Sequence, residues 1–368
     1  YKRQGQSLSE ANKFMHPGIL HTKESLERMK YYVDHRIEPA YSSYRLLEAD
    51  SCALSTYQMQ GPFEVIARLG VNKHTKRPSE DDHKAAYLNA LMWTLTGDEA
   101  HARKSIEILN AYSTTLKLIG PNDNDDPLCA SLQGSMLANA AELIKHTYSK
   151  VTPAEIAGWE KMLRTVFIPV LDTFFKAKPY TNGNWGAAAT KAYMAFGIFL
   201  EDEALYNQAV HFYYNGHDNG TIKNYIGENG QCQESGRDQD HVMFGLGNLA
   251  EACETAYNQG DEKMYAALDN RLLTGYEYTA KYNLGESVPF TTWTDISGRY
   301  CNWQIISDKL RGVFRPIYEI VYNHYVTRKG LDMPYPRRVL SKMSVEGASK
   351  WCDGPGYGTL FFRTDMDD

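Results

Sequence analysis

The chain contains 368 residues, of which 43% are hydrophobic and 23% are charged. This length suits one large globular domain or two modest ones, and the composition excludes a mainly disordered chain. Lys and Arg number 39 and Asp and Glu 45, which gives a formal charge of −6. The sign excludes a nucleic-acid-binding protein that relies on a broad basic face. No run approaches the roughly 18 apolar residues of a membrane span, so we expect neither a nucleic-acid nor a membrane partner.

Apolar residues recur every three or four positions through most of the first 330 residues, which predicts amphipathic helices. The first such stretch covers 24–48 and is interrupted at Pro39. The other predicted helices cover 82–96, 99–118, 130–148, 153–176, 186–200, 202–214, 238–258, 262–281 and 303–327. Short polar links between them favour antiparallel helical hairpins. We therefore predict an all-α fold in a single domain, residues 1–368.

Cysteine and histidine spacing gives no clear metal site. The chain contains six widely separated cysteines, namely Cys52, Cys129, Cys232, Cys253, Cys301 and Cys352. Without a C-x-x-C pair they argue against structural zinc and against a disulfide scaffold, so we expect buried free thiols. His211, His217 and Asp218 are possible ligands, but their spacing is loose. The remaining histidines, including His16, are expected on the surface or in packing contacts, and we predict no metal.

The segment 231–241 has the highest density of polar and charged side chains. Ser235 followed by Asp238 resembles a capping box, which predicts a helix that begins near Arg237 and holds His241 in its first turns. The positive end of a helix favours a neutral imidazole that can accept a proton. Glu234 lies within reach of Arg237. A purely structural polar network would have the same sequence, so these residues alone leave both interpretations open.

A second polar segment, 182–186, predicts a turn that delivers Asn184 to a helix beginning near Ala187. As a simple N-cap, Asn184 would need no further function. Trp185 beside it could stack on a sugar ring or fill the core. Composition and spacing do not choose between these roles.

A third segment joins Gly298 to Arg299 and Tyr300, ahead of an amphipathic helix predicted from Trp303. Because glycine has no side chain, Gly298 allows the backbone a wider range of conformations just before Arg299 and Tyr300. An Arg-Tyr pair alone is unremarkable, so this segment gains meaning only together with the other two.

Taken together, these segments resemble the alginate lyase domain of polysaccharide lyases. The similarity is strongest over residues 82–325, is greatest to the helical family numbered thirty-eight and is more distant to family five. It rests on several runs that occur in the same order. These are Asn184-Trp185-Gly186, Gln233 to His241, Asn258-Gln259-Gly260 and Asn270 to Asn283.

The resemblance implies an incomplete (α/α) toroid that performs β-elimination on a uronic acid polysaccharide without a cofactor. Removing H5 of a uronate is difficult because the carbanion forms beside a carboxylate, so the site must neutralise that group. Asn184 and His241 match this role, with Arg237 or Arg299 adding positive charge. Tyr300 matches the family's catalytic tyrosine. A neighbouring Arg is expected to lower the pKa of this phenol from about 10.

Stereochemistry relates these residues to the substrate. In β-1,4-linked mannuronate or glucuronate, H5 and the leaving oxygen share one face, so Tyr300 can serve as base and acid. In guluronate the faces are opposite, and His241 would supply the second group. We expect an endo-acting lyase on glucuronan or polymannuronate, an anionic polysaccharide partner, and a periplasmic or secreted location, since the chain begins without Met. The substrate-binding candidates are Arg237, Glu234, Trp185 and Gln133, with Arg77 as a further groove residue.

Two other classes of function remain open. A glycoside hydrolase on the same toroid would use paired carboxylates, for which Glu234, Asp238 and Asp240 are available. A polysaccharide-binding protein could keep the fold without the chemistry. The joint presence of Asn184, His241 and Tyr300 favours the lyase.

Overall fold

The computed structural model describes residues 13–121, 125–176 and 181–365. Of the described residues, 61% are helical and 3% lie in strands, which confirms the all-α prediction. The two short strands, β1 (Val65–Ile66) and β2 (Leu118–Ile119), pair in parallel. The helices are α1 (Lys23–His35), α2 (Ala40–Glu48), α3 (Lys76–Thr96), α4 (Glu99–Thr115), α5 (Asp126–Thr147), α6 (Pro153–Met162), α7 (Ile168–Lys176), α8 (Gly183–Phe199), α9 (Glu203–Asn215), α10 (Ile222–Tyr225), α11 (Gln239–Asn258), α12 (Lys263–Asn283), α13 (Tyr318–Tyr322), α14 (Pro334–Met343) and α15 (Gly358–Phe361).

Local capping signals set several of these boundaries. Thr22 and Thr152 each cap a helix through a capping box, and Pro153 occupies the first turn of α6. The π-helical turn Leu163–Phe167 joins α6 to α7, so the predicted helix over 153–176 is continuous. Within α12 the helical backbone is interrupted at residues 267–270. The predicted helices between 82 and 281 are otherwise confirmed with small shifts of their ends.

Helices α3, α5, α8 and α11 form the inner layer of an incomplete toroid, and α4, α9 and α12 return on the outside. Residues near the middle of three inner helices line one small cavity, including Ser135 of α5, Lys191 of α8 and Glu251 of α11. Lys191 Nζ and Glu251 Oε2 are 2.9 Å apart.

The C-terminal ends of α5, α8 and α11 meet the segment 16–19 through Glu142, Glu201 and Asn258, and the starts of α3 and α5 both contact Arg68. The inner helices therefore run parallel, and their N-terminal ends lie at one edge of the toroid, which we call the rim. The predicted toroid is confirmed.

The helix predicted over 303–327 is wrong for most of its length. Residues 303–317 are irregular, and helical structure is limited to α13 and the π-helical turn Asn323–Arg328 that follows it. The apolar spacing that suggested a helix does not correspond to a buried face here, since Ile305 is 77% exposed.

Tertiary hydrogen bonds explain this difference. Leu310 and Gly312 have left-handed conformations, with φ of 61° and 79°, which break a helix. The segment instead bonds to the rim, where Ser307 N donates to Ser235 O at 3.0 Å and Gln239 N donates to the segment in turn. Residues 303–317 thus hold the start of α11 in place.

Buried apolar side chains from Ile19 to Phe362 form one continuous cluster. The cysteines are free thiols, as predicted, and five of them are buried, whereas Cys301 is half-buried. No helix among the described residues combines the length and the apolar character that a membrane span requires.

Candidate active site

Two of the three predicted segments meet directly at the rim, where α8 and α11 begin. Asn184 lies in the first turn of α8, and its Nδ2 donates to Glu234 Oε1 at 2.7 Å. Arg237 Nη1 donates to the same oxygen at 2.8 Å. The charges of Arg237 and Glu234 also act on Tyr300 of the third segment. Asn184 and Arg237, remote in sequence, therefore share one carboxylate oxygen, and Tyr300 lies within electrostatic range of it.

The glycines of the second segment permit close packing beneath the site. A Cβ added at Gly183 would collide with the Tyr225 ring, and one added at Gly186 would collide with the Asp218 carboxylate. Without side chains at these two positions, the 218–220 loop packs against the first turn of α8. This contact explains why the first turn that carries Asn184 is rich in glycine.

Glu234 is completely buried and acts as the centre of the polar network. Besides Asn184 and Arg237, the Tyr225 hydroxyl donates to it, at Oε2 and 2.9 Å. Burial raises the pKa of Glu234, and the positive charge of Arg237 offsets part of that rise. Since three donors surround two oxygens, this side chain is suited to positioning its neighbours rather than to contacting a ligand.

His241 lies in the first turn of α11, as predicted, but Asp238 rather than Ser235 caps that helix, which begins at Gln239. The Asp238 carboxylate accepts from His241 N at 2.7 Å and faces His241 Nδ1 at 2.7 Å. Hydrogen bonds from His241 help to lower the pKa of Asp238 to about 2, against the opposing effect of burial. An ionised carboxylate accepts only, so Nδ1 carries a proton and Nε2 is the free ring nitrogen.

Asp295 anchors the segment that carries Tyr300. Its carboxylate accepts from Asn219 Nδ2 at 2.8 Å, from Ser297 Oγ at 3.0 Å and from the Tyr300 backbone N–H at 3.3 Å. Asn219 also donates to the backbone oxygen of Thr181, just before α8. Side chains from two loops, together with the backbone oxygen of Thr181, therefore fix the Tyr300 backbone relative to Asn184.

The pKa of Tyr300 is raised, not lowered as the sequence suggested. Burial of the phenol is the largest cause, and the positive charges of Arg299 and Arg237 offset part of it. The Arg299 guanidinium carbon lies 5.6 Å from the centre of the Tyr300 ring. The neighbouring Arg was correctly expected, but removal of the phenol from water has the larger effect.

Two further candidates have different surroundings. Trp185 is half-buried beside Asn184 and packs against the core cluster. Gln133 is completely buried, and its Nε2 donates to Cys129 Sγ at 3.4 Å within α5. Gln133 therefore has no surface on the rim in this structure, and we do not retain it as a contact for a polymer.

The rim contains a second group of side chains that sequence reasoning mostly missed. Trp351 is 39% exposed and has an unusual left-handed backbone, with φ of 48°. Lys76 Nζ and the Arg77 guanidinium carbon lie 5.3 and 5.7 Å from its ring centre. Lys350 Nζ lies 3.0 Å from Asp240 Oδ1, one residue before His241. Only Arg77 was a candidate, since an isolated tryptophan near the C-terminus has no periodic context.

The sequence profile of the family described as alginate lyase matches residues 61–290. The chain belongs to the alginate lyase family. It is thus a polysaccharide lyase, and the resemblance noted in the sequence is confirmed, while the assignment to family thirty-eight stays a prediction.

Solved structures of alginate lyases have the same fold. Alginate lyase A1-III from Sphingomonas species A1 is 12% identical, with a TM-score of 0.69 over 92% of this chain and 94% of that one. An alginate lyase from Bacteroides ovatus is 14% identical, with a TM-score of 0.65 over 95% of this chain and 100% of that one. No curated protein sequence matches the chain.

Proposed function

We propose that this lyase cleaves β-1,4-linked polymannuronate or glucuronan by β-elimination at the rim, acting within the polymer chain. The observation that carries the proposal is that Asn184 and Arg237 share one oxygen of Glu234. Tyr300 lies within electrostatic range of both Arg237 and Glu234. Variants of the Sphingomonas enzyme have been solved with a tetrasaccharide bound, which supports a saccharide ligand for this fold.

Neutralising the uronate carboxylate is the first requirement of the reaction, because the carbanion at C5 forms beside it. Arg237 and His241 have side chains that are 32% and 37% exposed, so a sugar can reach both. We assign the uronate carboxylate to the Arg237 guanidinium and to the exposed edge of the His241 imidazole. Asn184 is buried at the floor of the site, where its amide bonds Glu234 Oε1 beside Arg237. We assign it to positioning Arg237 through that shared carboxylate.

Tyr300 performs the proton transfers in this proposal. Its phenolate removes H5, the C5 electron pair forms the C4=C5 double bond, and the C4–O bond breaks. The tyrosine proton then passes to the departing oxygen. One end becomes an unsaturated uronate and the other a free hydroxyl, so no water is consumed. A single residue suffices because H5 and the leaving oxygen lie on one face of mannuronate or glucuronate.

The carboxylates of the site argue against a glycoside hydrolase. Glu234 is buried under three donors, Asp238 is bound to His241, and Asp240 accepts from Arg315 at 2.9 Å and from Lys350. A hydrolase needs two opposed carboxyl groups that face the scissile bond. These three are committed to neighbouring side chains instead.

Elimination is tested by incubating the purified protein with polymannuronate, glucuronan and polyguluronate and recording ultraviolet absorption. We expect absorption from the conjugated double bond on the first or second substrate, with an early drop in viscosity that marks internal cleavage. New reducing ends without absorption would indicate hydrolysis and overturn the proposal. A constant viscosity with steady release of small products would overturn internal cleavage alone.

Trp351 and the two cations on its ring, Lys76 and Arg77, are suited to bind a sugar unit away from the scissile bond, since an aromatic face and positive charges match an acidic pyranose. Trp351→Ala is expected to raise KM for the polymer by roughly three- to tenfold with little change in kcat. Tyr31→Ala, which removes an exposed aromatic from α1, is the matched control. An unchanged KM for the tryptophan variant would contradict this role.

We also propose export to the periplasm or the exterior, since a large polymer is degraded where it is accessible. Fractionation of the native host with an antibody to the chain tests this directly. Recovery of the protein in the cytoplasmic fraction alone would contradict it.

A further inference from the structure

Two histidines and a glutamate meet at the C-terminal end of α5, outside the active site. His16 Nδ1 lies 2.7 Å from Glu142 Oε1, and His146 Nε2 lies 3.5 Å from Glu142 Oε2. One donor atom from each of the three lies within 4.8 Å of the other two. Among the described residues, this is the one such group of His, Cys, Asp or Glu side chains, and it does not include the His211, His217 and Asp218 pattern.

Burial makes the cluster unusual. The side chains of His16 and Glu142 are 3% and 1% exposed, and that of His146 is 22% exposed. Glu142 Oε2 and His146 Nε2 are both buried without a hydrogen-bond partner. A carboxylate oxygen that is removed from water and left unpaired is costly, and most such atoms in folded proteins are satisfied. Glu142 Oε2 and His146 Nε2 can both accept hydrogen bonds and they face each other, so a cation or a proton is needed between them.

Further hydrogen bonds hold His16 and Glu142 in place, as hydrogen bonds around metal ligands commonly do. His16 Nε2 is hydrogen-bonded to the Glu201 carboxylate, which follows α8, so that Nδ1 points toward Glu142. Gly18 N donates to Glu142 Oε1 at 3.2 Å. A carboxylate that holds the second nitrogen of a histidine fixes the tautomer in which the first nitrogen can bind a metal.

We propose that His16, Glu142 and His146 bind a divalent transition-metal ion, with zinc the best match. Two imidazoles and one carboxylate form a ligand set that zinc commonly accepts, with a fourth position for water. The i, i+4 spacing of Glu142 and His146 places both on one face of α5. The ion would join the segment before α1 to α5.

The location indicates a structural ion. His146 lies in the last turn of α5, whereas Asn184 and His241 lie at the N-terminal ends of the parallel inner helices. Because α5 spans 22 residues, the two ends are separated by roughly 30 Å. An ion at this cluster is too distant to act on the uronate, so it is independent of the proposed elimination.

The competing interpretation is a metal-free ion pair in which a protonated His16 lies between Glu142 and Glu201. It accounts for the short contacts of His16. It places a proton between His146 Nε2 and Glu142 Oε2, which lie 3.5 Å apart, and it predicts no effect of zinc or of a chelator on the folded chain.

The test uses the full chain purified without a metal-affinity step, dialysed against zinc and then against metal-free buffer. Elemental analysis is expected to find about one zinc per chain in the wild type and in His35→Ala, a control on α1. His146→Ala should lose the zinc. A zinc chelator should lower the thermal unfolding temperature of the wild type by several degrees and should leave that of His146→Ala unchanged.

The visible absorption of wild-type protein loaded with Co²⁺ provides a second measurement, which does not require that any variant folds. Bound Co²⁺ in a nitrogen and oxygen site of low coordination should give visible d–d bands that zinc displaces. Absence of stoichiometric zinc in the wild type, equal zinc in His146→Ala, or a cobalt spectrum identical to that of the free ion would each overturn the proposal. Lyase activity is not the readout, so failure of the proposed reaction leaves this result interpretable.

Discussion

Tyr300→Phe is expected to reduce kcat on polymannuronate by about 10²- to 10⁴-fold, the usual contribution of a positioned acid and base. Phenylalanine keeps the ring on which Arg299 lies and the backbone N–H that Asp295 accepts, but it removes the hydroxyl that takes H5. Initial rates from ultraviolet absorption measure the effect. The thermal unfolding temperature should stay within about a degree, since the change touches a half-exposed residue. Retained turnover would exclude Tyr300 from proton transfer.

The pH dependence of the wild type follows from the same residue. Because burial raises the pKa of Tyr300, the phenolate is a minor species at neutral pH. Its fraction increases about tenfold for each pH unit below that pKa. We therefore expect kcat/KM on polymannuronate to increase between pH 7 and pH 9, as long as the fold persists. A rate that falls over this range would argue against a phenolate base.

His241→Ala is expected to lower kcat/KM by about 10²- to 10³-fold on every polyuronate that the enzyme accepts, if this imidazole binds the carboxylate. If it serves only as the opposing group for guluronate, the loss should appear on polyguluronate alone. Parallel rates on the two substrates distinguish these roles. A rate unchanged on all of them would contradict both.

Asp238→Asn separates two roles of Asp238, namely capping α11 and placing a negative charge beside His241. Asparagine caps helices about as well as aspartate, so α11 should keep its start and the protein its unfolding temperature. The change removes the charge that faces His241 Nδ1. A loss of activity at constant stability would show that the charge orients the imidazole for the reaction. Equal losses of activity and stability would instead indicate a purely structural cap.

The periodicity of apolar residues was sufficient to predict the helical hairpins, because a helix that packs on one side repeats its apolar contacts every three or four residues. It failed over 303–317, where the backbone bonds distant segments instead: Ser307 N donates to Ser235 O, and Lys309 O accepts from Gln239 N. Such bonds depend on which segments meet in space. These hydrogen bonds therefore cannot be predicted from a local sequence pattern.

The candidate site divides in the same way. The sequence by itself determined the residue types and the order of the motifs that mark an alginate lyase, because these are written in short contiguous runs around Asn184 and His241. Only the tertiary structure decided that Gln133 is buried, that Trp351 lies on the rim, and that burial outweighs positive charge at Tyr300. Exposure and desolvation depend on every segment that packs around a side chain, and those segments are far apart in the sequence.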